Sequence, residues 1–135
     1  MPGDYSGQGE PDWLRQFWFA GNHSDVGGSY IENESRLSDI SLAWMVEQAQ
    51  EIPEGLLVDQ SVLRLYPSPA GMQHDECKGW TFRFASKILR HVPTDATLHD
   101  SVCERFKLPD VLQYDQSQPY RPENLREHEK LRHYY

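Results

Sequence analysis

Three residue types that perform hydrolytic chemistry stand side by side at His23-Ser24-Asp25, just ahead of a Gly27-Gly28 pair. A histidine on a loop after a sheet strand can take a proton from a serine hydroxyl and return it to a leaving group. The tripeptide is not a triad in itself, because consecutive side chains point different ways and cannot meet on one substrate atom. His23 is therefore the general-base candidate, and Ser24 reads as a turn former. Asp25 reads as a cap of the turn into Val26-Gly27, with an orienting role or cation binding as the alternatives. Gly27 and Gly28 supply positive φ or close backbone approach. The nucleophile of such a reaction ordinarily sits on a Gly-x-Ser-x-Gly elbow, and no serine of this chain lies in that frame.

A second constellation is metallic. His74 and Cys77 are three residues apart and His99 and Cys103 four, a spacing from which a tetrahedral zinc site can be built. Cys103 equally suits the core face of a helix, and the surroundings match no known zinc module. The acyl-transfer reading needs no cofactor, so none is expected.

The elements that must position His23 follow from patterning. Phe17-Trp18-Phe19-Ala20 is a continuous apolar run, the signature of a strand with both faces covered, as in a parallel sheet. A strand is expected over 13–20, and a loop over 21–34. A histidine just past the carboxyl end of such a strand lies where open α/β sheets keep their chemistry. Leu42, Met45, Val46 and Ala49, widened by Ile40 and Trp44, predict a helix over 37–50 with Ser38 as its N-cap, ended by Pro53 and Gly55. Residues 56–66 suit a short strand or a helix, 67–78 a loop, 80–89 a helix and 98–106 a short helix. Residues 1–12 read as a flexible lead-in, and 109–135 as a polar, proline-punctuated tail.

At 135 residues the chain has the length of one domain. A hydrophobic share of 38% is low for a compact domain, yet four tryptophans, seven tyrosines and five phenylalanines oppose wholesale disorder. The net charge of −8 speaks against nucleic acid or an anionic membrane surface as the main partner, since both reward basic patches. Two cysteines are too few for a disulfide framework. No apolar run approaches the roughly 18 residues of a transmembrane helix, and the first residues lack a signal peptide's pattern, so the expectation is a cytoplasmic protein. A buried parallel strand needs neighbours to pair its backbone groups. With one good strand, the chain reads as a fragment of a larger α/β protein; a mostly helical domain with one edge strand is the alternative.

The run Trp18-Phe19-Ala20-Gly21-Asn22-His23-Ser24-Asp25-Val26-Gly27-Gly28-Ser29-Tyr30, followed by Leu37-Ser38-Asp39-Ile40-Ser41-Leu42-Ala43-Trp44-Met45, resembles one group. This is the Tle1-like, DUF2235 family of α/β-hydrolase domains related to type VI secretion phospholipase effectors. Leu98-His99-Asp100-Ser101-Val102 with Arg105, then Tyr120-Arg121-Pro122-Glu123-Asn124-Leu125, resembles that family's C-terminal signature. The resemblance implies an α/β-hydrolase-like fold over 13–125 with a polar tail over 126–135. It also implies a Ser-Asp-His ester hydrolase, phospholipase-like, of which only the histidine carries over, onto His23. His99 and Ser101 fall, on this resemblance, in a structural helix. Implied partners are an ester or phospholipid substrate in the parent enzyme and the N-terminal half that bears the elbow, with export of the parent as an effector. The isolated chain is expected to be inactive. A non-catalytic interaction module or split-enzyme partner is the alternative, and a small zinc-binding domain a more distant one.

Overall fold

A computed structural model describes residues 14–78 and 89–135. In order, it contains helix α1 (His23–Gly27), helix α2 (Arg36–Glu51), helix α3 (Asp100–Lys107) and strands β1 (Val111–Gln113) and β2 (Gln116–Gln118), with short 3₁₀ turns between them. The architecture is mixed α and β, and its two-stranded sheet is antiparallel. The expected lead-in over 1–12 and the helix over 80–89 lie outside the described residues, apart from Leu89.

The apolar run before His23 is not a full strand. Among the described residues only Trp18 pairs, as one parallel bridge to Leu98: its N–H donates to Thr97 O (2.9 Å) and its carbonyl accepts from His99 N–H (3.0 Å). Phe17 and Phe19 lean on Trp44 of α2, with ring centroids 5.3 and 5.7 Å away, while Trp18 packs against the core on the other side. The apolar pattern correctly marked a stretch covered on both faces. It could not say how many neighbours that stretch has, because hydrogen-bond partners come from remote chain.

The expected loop over 21–34 contains α1. Asn22 caps this helix, accepting from Ser24 N–H (2.9 Å) and Asp25 N–H (2.7 Å), while Asp25 Oδ2 accepts from Asn22 N–H (3.1 Å). This reciprocal capping box satisfies donors that a one-turn helix otherwise leaves unpaired. Gly21 at φ +116° lets the chain enter the turn; a Cβ there would lie 2.5 Å from that of Asp25. Gly28 at φ +79° ends the helix.

Helix α2 forms where its periodicity predicts, starting earlier, with Ser35 at the N-cap position; Ser38 instead bonds Ser35 O from inside the first turn. Its buried face is Leu37, Ile40 and Ser41, whereas Leu42 and Met45 are exposed. The predicted stripe was rotated because Ser41, a polar residue, faces inward: its hydroxyl donates to Val26 O and ties α2 to α1. Gly55 and Leu56 close the helix end by donating to Ile52 O and Ala49 O. Residues 56–66 form neither strand nor helix.

The segment expected as a polar tail joins the core. Val111, Tyr120, Leu125 and Leu131 are buried with Ala20, Leu98, Val102 and Phe106 in one cluster. Tyr114 (φ 53°) and Asp115 (φ 64°) make the two-residue β1–β2 turn, with both φ values positive as a type I′ hairpin requires. Sequence composition hid this because four apolar side chains spread over some twenty residues leave no local period. Gln73 bridges to Gln113, donating to Leu112 O and accepting from Tyr114 N–H, both at 3.0 Å. That bridge fixes the segment carrying His74 and Glu76.

Candidate functional site

Two histidine–carboxylate pairs join α1 to residues 74–76. His23, the first residue of α1, has its Nδ1 2.8 Å from Glu76 Oε2, with 85% of its side chain exposed. Asp25, two residues on, is 1% exposed and accepts from His74 Nδ1 (2.7 Å) and the His74 N–H (3.2 Å). The side chains of His23 and Asp25 therefore diverge, as their adjacency dictates. Neither completes a triad with Ser24.

The second nitrogen separates the pairs. His74 Nε2 faces Glu34 Oε2 at 3.3 Å, so both its ring nitrogens are engaged with carboxylates. Tyr30 lies flat on the His74 ring, centroids 3.5 Å apart at 16°. Among the described residues His23 is engaged at Nδ1 alone, and its side chain is largely exposed to solvent. A carboxylate at Nδ1 with a free Nε2 is the arrangement in which a general base is held in its working tautomer.

The pairs share a polar frame. Asn22 Nδ2 donates to His74 O (3.1 Å) and lies 3.4 Å from the Tyr30 hydroxyl, which in turn donates to Glu76 Oε1 at 3.4 Å. Burial raises the Tyr30 hydroxyl above its ordinary value; the Asn22 hydrogen bond opposes this, and the Asp25 and Glu76 carboxylates add to it. Gly28 supplies the positive φ expected of the double glycine, and Gly27 stands in open space. Ser24 contributes its N–H to the Asn22 cap.

His99 caps α3: its Nδ1 accepts from the Ser101 N–H (3.3 Å) and lies 2.9 Å from the Ser101 hydroxyl. His74 and His99 thus have protein partners of their own, and Cys77 and Cys103 are free thiols. Among the described residues no group of three or more histidine, cysteine, aspartate or glutamate side chains is arranged to hold a metal ion. No helix among them is long and apolar enough to cross a membrane. A groove of about 350 Å³, lined by Ala43, Val46, Gln50, Leu63 and Leu65, runs along α2 and includes none of these histidines.

Sequence reasoning singled out His23 and Asp25 but missed Glu76 and the pairing role of His74. No spacing signals a partner about fifty residues away; the Gln73–Gln113 bridge makes the contact.

Residues 3–48 match the family described as the catalytic domain of type VI secretion system phospholipase effectors of the Tle1-like kind. Over that span the chain is similar to Tle1-like catalytic domains. No curated protein and no solved structure matches the chain significantly. The Tle1-like segment contains Asn22, His23, Asp25, Tyr30 and Glu34, whereas His74 and Glu76 lie beyond it, as does the second stretch of resemblance at 98–125. The site is thus built from Tle1-like sequence on one side and from the 73–76 segment on the other.

Proposed function

We propose that this chain is the histidine-bearing portion of a phospholipase-like ester hydrolase of the α/β-hydrolase type. His23 is its general base and Glu76 the carboxylate that holds it. The observation that carries this reading is the outward Nε2 of His23, in a Tle1-like stretch, with Nδ1 against Glu76. In the reaction, Nε2 takes the proton of an attacking serine hydroxyl as its oxygen adds to the ester carbonyl. The imidazolium then returns that proton to the departing alkoxide, which leaves as the alcohol. Glu76 balances the charge that forms on the ring. Asp25, His74 and Tyr30 act as the rigid seat of this pair.

The chain contains no Gly-x-Ser-x-Gly, so the serine must come from another segment, and the 135 residues by themselves are inactive on this reading. The purified chain is expected to leave a p-nitrophenyl ester unhydrolysed; turnover that disappears in His23→Ala would overturn its inactivity. Joined to an elbow-bearing Tle1-like polypeptide, it should support hydrolysis, with His23→Ala costing about 100-fold or more. Equal rates with and without His23 would remove the base assignment.

A further inference from the structure

The guanidinium of Arg105, on α3, is fully buried, with 0% of the residue exposed. Its Nη1 donates to Pro69 O and to Gly71 O, both at 2.6 Å, and its central carbon stands 4.8 Å from the centroid of the Tyr120 ring. Taking such a cation out of water is costly. Burial lowers the pKa of Arg105, and the influence of Tyr120 and Asp25 offsets this only in part. An unbranched apolar side chain would fill the same space without that cost. What it could not do is hold two carbonyls two residues apart, which the paired N–H bonds of Nη1 do.

Those carbonyls lie just ahead of the site. Gly71 is two residues before Gln73, which bridges to Gln113, and His74 and Glu76 follow. The turn before them is pressed onto α2. Gly71 N–H donates to Ser68 O (3.0 Å), Ser68 N–H donates to Arg36 O (3.3 Å), and a Cβ on Gly71 would come 2.7 Å from that of Arg36. Residues 68–71 are thus seated between the first turn of α2 and Arg105, with Gln73 as the next fixed point. A segment held at both 71 and 73 has little freedom in where it delivers residues 74 and 76.

We infer that Arg105 is a positioning residue for the His23–Glu76 pair. Through Pro69 O and Gly71 O it sets the path of residues 71–76, and so the placement of Glu76 against His23 Nδ1 and of His74 against Asp25. Calling that pair the catalytic one rests on the proposed function; the positioning role does not.

Arg105→Met in the full 135-residue chain tests this by NMR and amide hydrogen exchange, which need no turnover. Two reporters read the segment: the His74 N–H, donated to Asp25 (3.2 Å), and the His74 ring protons, shielded by the Tyr30 ring stacked at 3.5 Å. The Trp18 N–H, donated to Thr97 O, reads the core. In the variant the His74 amide should exchange about tenfold faster or more, while Trp18 stays within about twofold of its original rate. The His74 ring signals should lose their shielding. Arg105→Lys keeps the charge and a donor without the planar geometry. It should show the same pattern at smaller size, and it decides the matter should Arg105→Met not fold. Val102→Ala, which thins the core from the same helix, should speed both amides alike. His74 and Trp18 accelerating together in the deciding variant, as loss of a contact that only supports the fold would make them, would overturn the inference. So would neither accelerating. Ester turnover with an elbow-bearing Tle1-like polypeptide is read separately: a mixture with the unaltered chain that shows none removes the catalytic reading alone.

Discussion

His23–Glu76 and His74–Asp25 join the same two stretches of chain by the same chemistry, yet they do different work. The first pair is open to water at its histidine, 85% exposed, while its glutamate is 25% exposed. The second is shielded, at 15% and 1%. In high dielectric an ion pair contributes little to stability and leaves its outer nitrogen accessible. In the shielded pair every donor removed leaves a buried carboxylate uncompensated, so that pair locks the loop and offers nothing to a substrate. Residue type and spacing are alike in the two; burial and the second nitrogen assign the roles.

The sharpest way to break this contrast is Asp25→Ala. It strips His74 Nδ1, the His74 N–H and the Asn22 N–H of their acceptor, at a cost of about 3 kcal/mol in urea unfolding. A cost below about 1 kcal/mol would place both pairs in one class. Gly21→Ala should come next, at about 2 kcal/mol. Its Cβ would meet that of Asp25 at 2.5 Å while the backbone sits at φ +116°. The same variant should disturb the His74 ring resonances more than those of His23, and the reverse order would undo the assignment of Asp25 to the buried pair.

His23→Ala should change unfolding free energy by less than about 0.5 kcal/mol, since the side chain that is lost stands in solvent. A larger loss would make His23 structural and weaken its reading as a base. The smallest effect concerns Tyr30, whose hydroxyl stands between the pairs. Burial first, opposed by Asn22 and helped by Asp25 and Glu76, holds its proton above the ordinary value of 10.0. The folded chain therefore binds this proton more tightly than the unfolded chain does. The resulting stabilisation is whole below pH 10 and declines as pH rises through the folded-state value. Glu76→Gln should lower the midpoint of the phenolate absorbance slightly; an unmoved midpoint would disconnect Tyr30 from Glu76.

Much of the fold was legible where side chains repeat locally. Helix α2 declared itself by period, and α3 lies within two residues of its expected span. The apolar run ending at Ala20 was recognisable as an internal stretch, and Asp25 as a capping residue of the turn behind it. What stayed hidden is non-local. The hairpin and the buried Tyr120, Leu125 and Leu131 sit in polar, proline-punctuated sequence. Glu76 and His74 reach α1 only because Gln73 is pinned to Gln113.

The residues thus determined which groups are available at this site: one outward-facing helix start with His23, one inward Asp25 two positions later, and Asn22 to cap the helix that carries them. That much follows from the divergence of neighbouring side chains and from capping chemistry, which act within a turn. Only the tertiary structure decided which carboxylate serves which histidine, because a pair's partners, burial and free nitrogen are set by chain some fifty residues distant. The dielectric that separates a structural lock from a candidate base is a property of that packing.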